Sequence, residues 1–466
     1  MDEPEGYEPR PRFPRWAVAL AALVLLAPLG TYVVSLTRGT DPAPPGPGVR
    51  RGTVAPEDPF DRTPSDAYCP TEMELEGGTE TSLERQIDAT ERAVERLRKL
   101  RFEASLAVTV LAPDEVAARI NDSQLAGYSE REIERDTRLL EILGLIPEGT
   151  DLEDLLQSLA GQVVGYYDPD TEELVVSATT QEEPLSPASE LTLAHELEHA
   201  LADSAFGLPI DDDVAPARSD ASLARRALVE GDASLLTRHY LFAVLTAEQA
   251  GDITGDQVTR DALRDAAEIP PAIRTLFEFP YTHGLAFTCA LYGDGGWRAV
   301  NEAYRRPPST TAQVLFPERY RAREGAEDVR PLRALERPWT KLGGSALGAS
   351  DLLALFTAPG GELSRALDDP AAAAAGWAGG MVEVWANGDR SAAGVALVER
   401  EPQDELCAAI EAWYQVAFPA SEVAHYGTSK GMIAEERGRV AVLRCAGAEV
   451  RLGIGPDTRT ANALSR

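Results

Sequence analysis

The sequence predicts an α+β protein held to a membrane by one N-terminal helix. Three observations predict it: an uncharged apolar run near the start, helical and strand periodicities that alternate along the rest of the chain, and a helix with histidines at i and i+4. The chain has 466 residues, enough for two or three domains with cores of their own. Its 44 Lys and Arg against 76 Asp and Glu leave a net charge of −32, which would repel a polyanion and argues against a nucleic-acid partner.

The first element is the apolar run at 16–37, from Trp16 to Thr37 between Arg15 and Arg38. At about 1.5 Å per residue it is long enough to cross a bilayer once. Arg10, Arg12 and Arg15 precede it, and Trp16 and Tyr32 stand near its ends where interfacial aromatics belong. The expectation is a cytoplasmic tail at 1–15, a transmembrane helix at 16–37 and an extracytoplasmic remainder at the cell membrane. Residues 38–66 are dense in Pro, Gly and charge and read as an extended linker. A main domain at 67–340 and a small C-terminal α+β domain at 341–466 are expected beyond it.

An extracytoplasmic location permits disulfides, so the four cysteines, Cys69, Cys289, Cys407 and Cys445, become informative. Cys407 and Cys445 share one C-terminal region and are the expected pair, although four cysteines allow three connectivities.

The main domain opens with a helix over 82–100, whose Leu83, Ile87, Val94 and Leu97 fall at helical spacing, followed by a strand within 104–113. A second helix over 129–144 starts at Ser129 with Glu132 three residues on, a capping box. Residues 162–177 read as two strands joined at Asp168-Pro169-Asp170-Thr171. Helices over 188–207 and 221–245 come next.

The chemistry concentrates in those two helices. His195-Glu196-Leu197-Glu198-His199 is an H-E-x-x-H sequence, and on a helix its two imidazoles point the same way one turn apart, as two ligands of one metal require. Neutral imidazole suits Zn²⁺, and a catalytic site takes three protein ligands and leaves one position open. Glu196 is placed to serve as the general base toward a water activated by that metal. Glu230 follows His199 by 31 residues, on an otherwise apolar helix where a lone carboxylate needs a partner; it is the candidate third ligand. The bland alternative pairs Glu230 with Arg225 or Arg226 on a solvated face. Asp203 and Asp220 are candidates to accept the imidazole N–H groups, as metal-bound histidines require.

His195-Glu196-Leu197-Glu198-His199, followed by a helix bearing Glu230-Gly231-Asp232-Ala233, resembles the gluzincin type of zincin metallopeptidases. More widely, residues 80–320 resemble a set of bacterial membrane-anchored proteins of that peptidase clan. The resemblance implies a zinc-dependent protease fold with His195, His199 and Glu230 as ligands and Glu196 as base. It also implies that residues 165–174 form the edge-strand region beside the cleft, where an extended protein or peptide substrate could add as a strand.

Water attack on a peptide carbonyl calls for an oxyanion donor, and Tyr281 and His283 are the candidates. Pro280 before them and Gly284 after them suggest a turn that would project both into the cleft. His239 and Tyr240 on the Glu230 helix compete for the role. Beyond residue 320 the chemical signal fades. The stretch 318–337 is charged and expected on the surface, 347–356 reads as a helix, and strands are expected at 381–388, 391–400 and 440–447 with a helix at 404–418 between them. Trp377, Trp385 and Trp413 read as core.

The expected function is thus that of a membrane-anchored zinc metallopeptidase that hydrolyses peptide bonds. The alternative is a catalytically inactive cell-surface binding or assembly protein that keeps the zincin fold. Retention of Glu196 favours the enzyme, because a structural zinc site closes its fourth position and has no use for a base.

Overall fold

Long helices that are buried on nearly every side, rather than on one stripe, dominate the first half of the molecule, and an antiparallel sheet dominates the second. The computed structural model describes residues 82–103, 106–125, 129–160, 163–178, 184–210, 219–255, 268–401, 405–425 and 431–466. The apolar segment 16–37, the linker 38–66 and Cys69 lie outside them. Among the described residues no helix is long and apolar enough to cross a membrane.

The order begins with α1 (Leu83–Arg98), β1 (Val108–Leu111), α2 (Pro113–Leu125), α3 (Glu130–Ile142), α4 (Leu152–Ala160), β2 (Gly165–Asp168) and β3 (Glu173–Ser177). The helices α5 (Pro187–Phe206), α6 (Asp220–Ala243), α7 (Ala247–Gly255), α8 (Pro271–Gly295), α9 (Trp297–Arg305), α10 (Thr311–Leu315) and α11 (Pro317–Ala322) follow. The remainder is β4 (Thr340–Ala346), α12 (Ala349–Thr357), α13 (Pro370–Ala374), β5 (Trp377–Asn387), β6 (Arg390–Glu399), α14 (Glu405–Ala417), β7 (Glu422–His425), β8 (Met432–Glu436), β9 (Arg439–Ala446), β10 (Glu449–Gly455) and α15 (Thr458–Leu464). The fold is α+β, as the periodicities predict.

Local chemistry explains the main boundaries. Ser129 and Glu132 close the expected capping box on α3. Ser186 accepts a hydrogen bond from the Ser189 N–H with Pro187 in the first turn of α5, and Gly207 ends that helix at a positive φ of 69°. Ser219 caps α6 in the same way through the Ser222 N–H. These caps are worth about 1 kcal/mol each and fix where the two long helices begin.

The first sheet has the order β1-β3-β2, with β1 parallel and β2 antiparallel to β3. Strand β2 is therefore at an edge, and its four residues are buried. The sheet packs on α5, which is buried at every position from Glu190 to Ala202. Leu191, Leu193, Leu197 and Leu201 of α5, Leu228, Leu235 and Leu236 of α6, and Phe279 and Phe287 of α8 share one core.

The second sheet is wholly antiparallel in the order β4-β5-β6-β10-β9-β8-β7. Its core is shared with Ile142, Leu143, Leu145, Ala272 and Ala312 from earlier in the chain, so it does not close on residues after 340 alone. Trp377, Trp385 and Trp413 are buried as expected. The expected disulfide joins Cys407 on α14 to Cys445 on β9, and Cys289 on α8 is disulfide-bonded as well. The charged stretch after α11 is extended and largely exposed.

Candidate metal centre

The α5 helix turns His195 and His199 to one side, and α6 packs against that side with Glu230. The histidine ring centroids are 4.7 Å apart, edge to face. Glu230 Oε2 sits between them, 3.3 Å from His195 Nε2 and 3.2 Å from His199 Nε2. The ligand atoms of the three residues lie within 4.8 Å of one another, and all three residues are buried. Glu230 is 4% exposed, which removes the solvated-face alternative. Arg226 Nε stands 3.8 Å from Glu230 Oε1, beyond hydrogen-bonding range.

A cation fits this cradle. Ligands about 2.0–2.1 Å from a tetrahedral zinc ion are separated from each other by about 3.3 Å, which is the spacing the carboxylate oxygen keeps from each imidazole nitrogen here. Two imidazoles and a carboxylate are also a donor set that zinc and several other divalent ions accept.

Glu196 lies beside the three. One oxygen of its carboxylate, Oε1, is buried without a hydrogen-bond partner among the described residues, and the Tyr167 backbone of β2 lies near enough to favour the ionised carboxylate. Burial pushes its pKa up to about 8 against the pull of His199. Burial likewise opposes ionisation of Glu230, yet the His199 and His195 imidazoles overcome it and hold that carboxyl well below the usual range. Burial lowers His195 to about 4; it would lower His199 too, but the Glu230 carboxylate raises His199 to about 9. Strand β2 reaches Glu196 because Gly165 has no side chain. A Cβ there would stand 2.8 Å from Thr192 Cγ2 on α5.

The other acidic residues of the two motifs face away. Glu198 is one residue before His199 and Asp232 two after Glu230, and both turn off the metal-facing side toward α1. There both meet Arg98 of α1, with Nε at 2.7 Å from Glu198 Oε1 and Nη2 at 2.9 Å from Asp232 Oδ2. Arg98 also donates to Asn301 Oδ1 at 2.7 Å and lies 4.5 Å from the centroid of the Trp297 ring, while Tyr304 donates to Asp232 at 2.8 Å. Arg98, Glu198 and Asp232 have side chains exposed by 1% or less.

The expected turn at Tyr281 and His283 is corrected. Both lie inside α8, which carries Pro280 within it. The helix survives its proline because it is clamped to α6: a Cβ on Gly231 would stand 2.2 Å from the Gly284 carbonyl oxygen, and one on Gly284 2.2 Å from that of Ala227. Backbone therefore packs on backbone, and Thr288 Oγ1 donates to the Gly231 carbonyl at 2.9 Å. This crossing brings Tyr281 to the site, its ring centroid 6.3 Å from that of His195. Its hydroxyl makes no hydrogen bond of good geometry among the described residues but lies close enough to Glu230 to be held by it, and burial with the Glu230 and Glu196 charges keeps the phenol firmly protonated. His283, two residues on, turns away on the helix and packs on Phe279 at 5.2 Å between centroids.

The remaining candidates are engaged elsewhere. His239 packs between Tyr292 and Trp297, and Tyr240 donates to Glu190 at 2.6 Å. Asp203 accepts from the Tyr167 hydroxyl at 3.0 Å, and Asp220 accepts from Thr311, so neither serves an imidazole. That position belongs to Thr237, whose Oγ1 is 3.3 Å from His195 Nδ1. The sequence carried a signal for it, since Thr237 lies seven residues after Glu230 and thus on the same face of α6. No family model, no curated protein and no solved structure matches this chain.

Proposed function

We propose that this chain is a membrane-anchored, zinc-dependent metallopeptidase of the gluzincin type, acting outside the cytoplasm on protein or peptide substrates. The observation that carries the proposal is the spacing of Glu230 Oε2 from the two imidazole nitrogens, 3.3 Å and 3.2 Å, with a buried and partly unpaired Glu196 carboxylate beside them.

His195, His199 and Glu230 would hold the cation, which supplies Lewis-acid polarisation and lowers the pKa of water when bound. Glu196 takes the proton of the attacking water and returns it to the leaving amine. Tyr281 presents a buried O–H beside Glu230 and donates to the oxyanion as it develops. The edge strand β2, whose Tyr167 backbone lies near Glu196, offers its backbone to an extended peptide. His283 has no part in this scheme.

The test is metal content by elemental analysis and casein hydrolysis on the full-length chain in detergent, beside His195→Ala, Glu230→Ala and Glu196→Ala. The proposal expects about one zinc per chain, lost in the first two variants, and a Glu196→Ala protein that keeps the metal and loses activity. Well-folded wild type that neither holds zinc nor takes it up would overturn it.

A further inference from the structure

The Thr237 hydroxyl has a fixed direction. Its Oγ1 lies 2.7 Å from the carbonyl oxygen of Ala233, one turn back on α6. A carbonyl cannot donate, so the single hydroxyl proton goes to Ala233 and the oxygen keeps only lone pairs for other neighbours. The neighbour it has is His195 Nδ1, at 3.3 Å, and both side chains are fully buried. An acceptor at that nitrogen demands a proton on it. A neutral imidazole with its proton on Nδ1 has a bare lone pair on Nε2, the nitrogen turned toward Glu230 Oε2 and His199.

We propose that Thr237 is a positioning residue for the metal centre: in the loaded site it accepts the Nδ1–H of His195 and fixes the ring plane, so that Nε2 faces the cation. The inference rests on the metal-binding reading above and deepens it. It explains why one helix contributes both Glu230 and Thr237, seven residues apart. Two helical turns separate them, so a single rigid element supplies one ligand directly and orients another from behind. With a cation bound, the other alignment would aim an N–H at it and leave Nδ1 and Thr237 Oγ1 as two acceptors facing each other in a buried site; without one, an Nε2–H would instead meet Glu230 Oε2 at 3.3 Å, so Thr237 acts on the loaded site.

The test compares wild type, Thr237→Val and Thr237→Ser in the full-length chain in detergent. Zinc affinity is read by competition with a chromophoric chelator, and the melting temperature of the metal-free protein is read alongside. Valine keeps the shape and loses the acceptor; serine keeps the acceptor. The expected result is a 10- to 100-fold weaker zinc affinity for Thr237→Val, an affinity within about threefold of wild type for Thr237→Ser, and metal-free melting temperatures that coincide. A Thr237→Val protein that binds zinc as tightly as wild type overturns the inference while leaving the metal site standing. Wild type that binds no zinc overturns the metal reading itself, so the two failures are distinct.

A second measurement is independent of how the valine variant folds. With ¹⁵N-labelled histidine the chain's five histidines give a short list of ring signals, and His195→Gln assigns the one in question. In zinc-loaded wild type the His195 signals should report the metal on Nε2 and a proton on Nδ1, and a metal on Nδ1 would overturn the inference.

Discussion

The two motif helices present acidic groups on two sides, and the two sides are built differently. Behind the motifs, Glu198 and Asp232 close on Arg98, a cation that the chain brings with it from α1. In front, Glu196 and Glu230 face two imidazoles, and Arg226 Nε stands 3.8 Å from Glu230 Oε1. Buried carboxylates need compensation. The rear pair has an internal partner and reads as structure, whereas the front pair, with His195 and His199, is arranged as a donor set for a cation from outside. A helix delivers both from neighbouring positions: residues one or two apart serve opposite purposes.

The largest effect should come from breaking the rear. Arg98→Met leaves Glu198 and Asp232 buried without their cation and is expected to cost about 3–5 kcal/mol, read by urea unfolding of the metal-free protein. A loss below about 1 kcal/mol would show that the two sides do not differ as described. The clamp between the sides comes next. Gly231→Ala drives a Cβ into the Gly284 carbonyl, so α6 and α8 must separate; about 1–3 kcal/mol of stability and most of the zinc affinity should be lost together.

A front-side substitution sharpens the contrast. Glu196→Gln removes a carboxylate with an unpaired oxygen, and the expected change in stability is within about 1 kcal/mol even though peptide hydrolysis disappears. If that variant were as unstable as Arg98→Met, the front would have to be counted as structure too. The smallest effect is a control at a site remote from both sides. Burial raises Asp351 to about 7 against the pull of the Gly348 N–H, and raises Asp220 to about 6 against its hydrogen bonds from Thr311. The folded protein therefore holds protons that the unfolded chain releases near pH 4. The stability they contribute is full below about pH 4 and is lost as pH rises through about 6–7. Asp351→Asn should flatten part of that decline, seen as a smaller fall in melting temperature than wild type between about pH 5 and pH 8.

Much of the front was legible because it obeys one period. His195, Glu196 and His199 are neighbours on any helix, and Glu230 stands out as a charge among Ala, Leu and Val. Arg98 was not legible. In α1 it looks like Arg92 and Arg96, and only the packing of α1 on α5 and α6 buries it. Tyr281 was visible as a residue and misplaced as an element, because a proline and a glycine four residues apart read as the bounds of a turn; here the glycine serves interhelical contact and the proline is absorbed within α8. Thr237 was hidden by a more conspicuous expectation, since carboxylates such as Asp203 and Asp220 are the commoner partners of a ligating imidazole. The β4 strand, Thr340–Ala346, has no apolar alternation, two glycines and a single β-branched residue, and is defined by pairing with β5.

The contact of Gly231 with Gly284 sets a condition on any attempt to transplant this centre into another scaffold. Copying His195, His199, Glu230, Glu196 and Tyr281 would transfer the reactive atoms without the ruler that spaces them. That ruler is written in two residues with no side chain, invisible to any search for chemical groups. An engineered host would need two helices able to approach until their backbones touch, and a library screened only on the polar positions would be sampling the wrong variable.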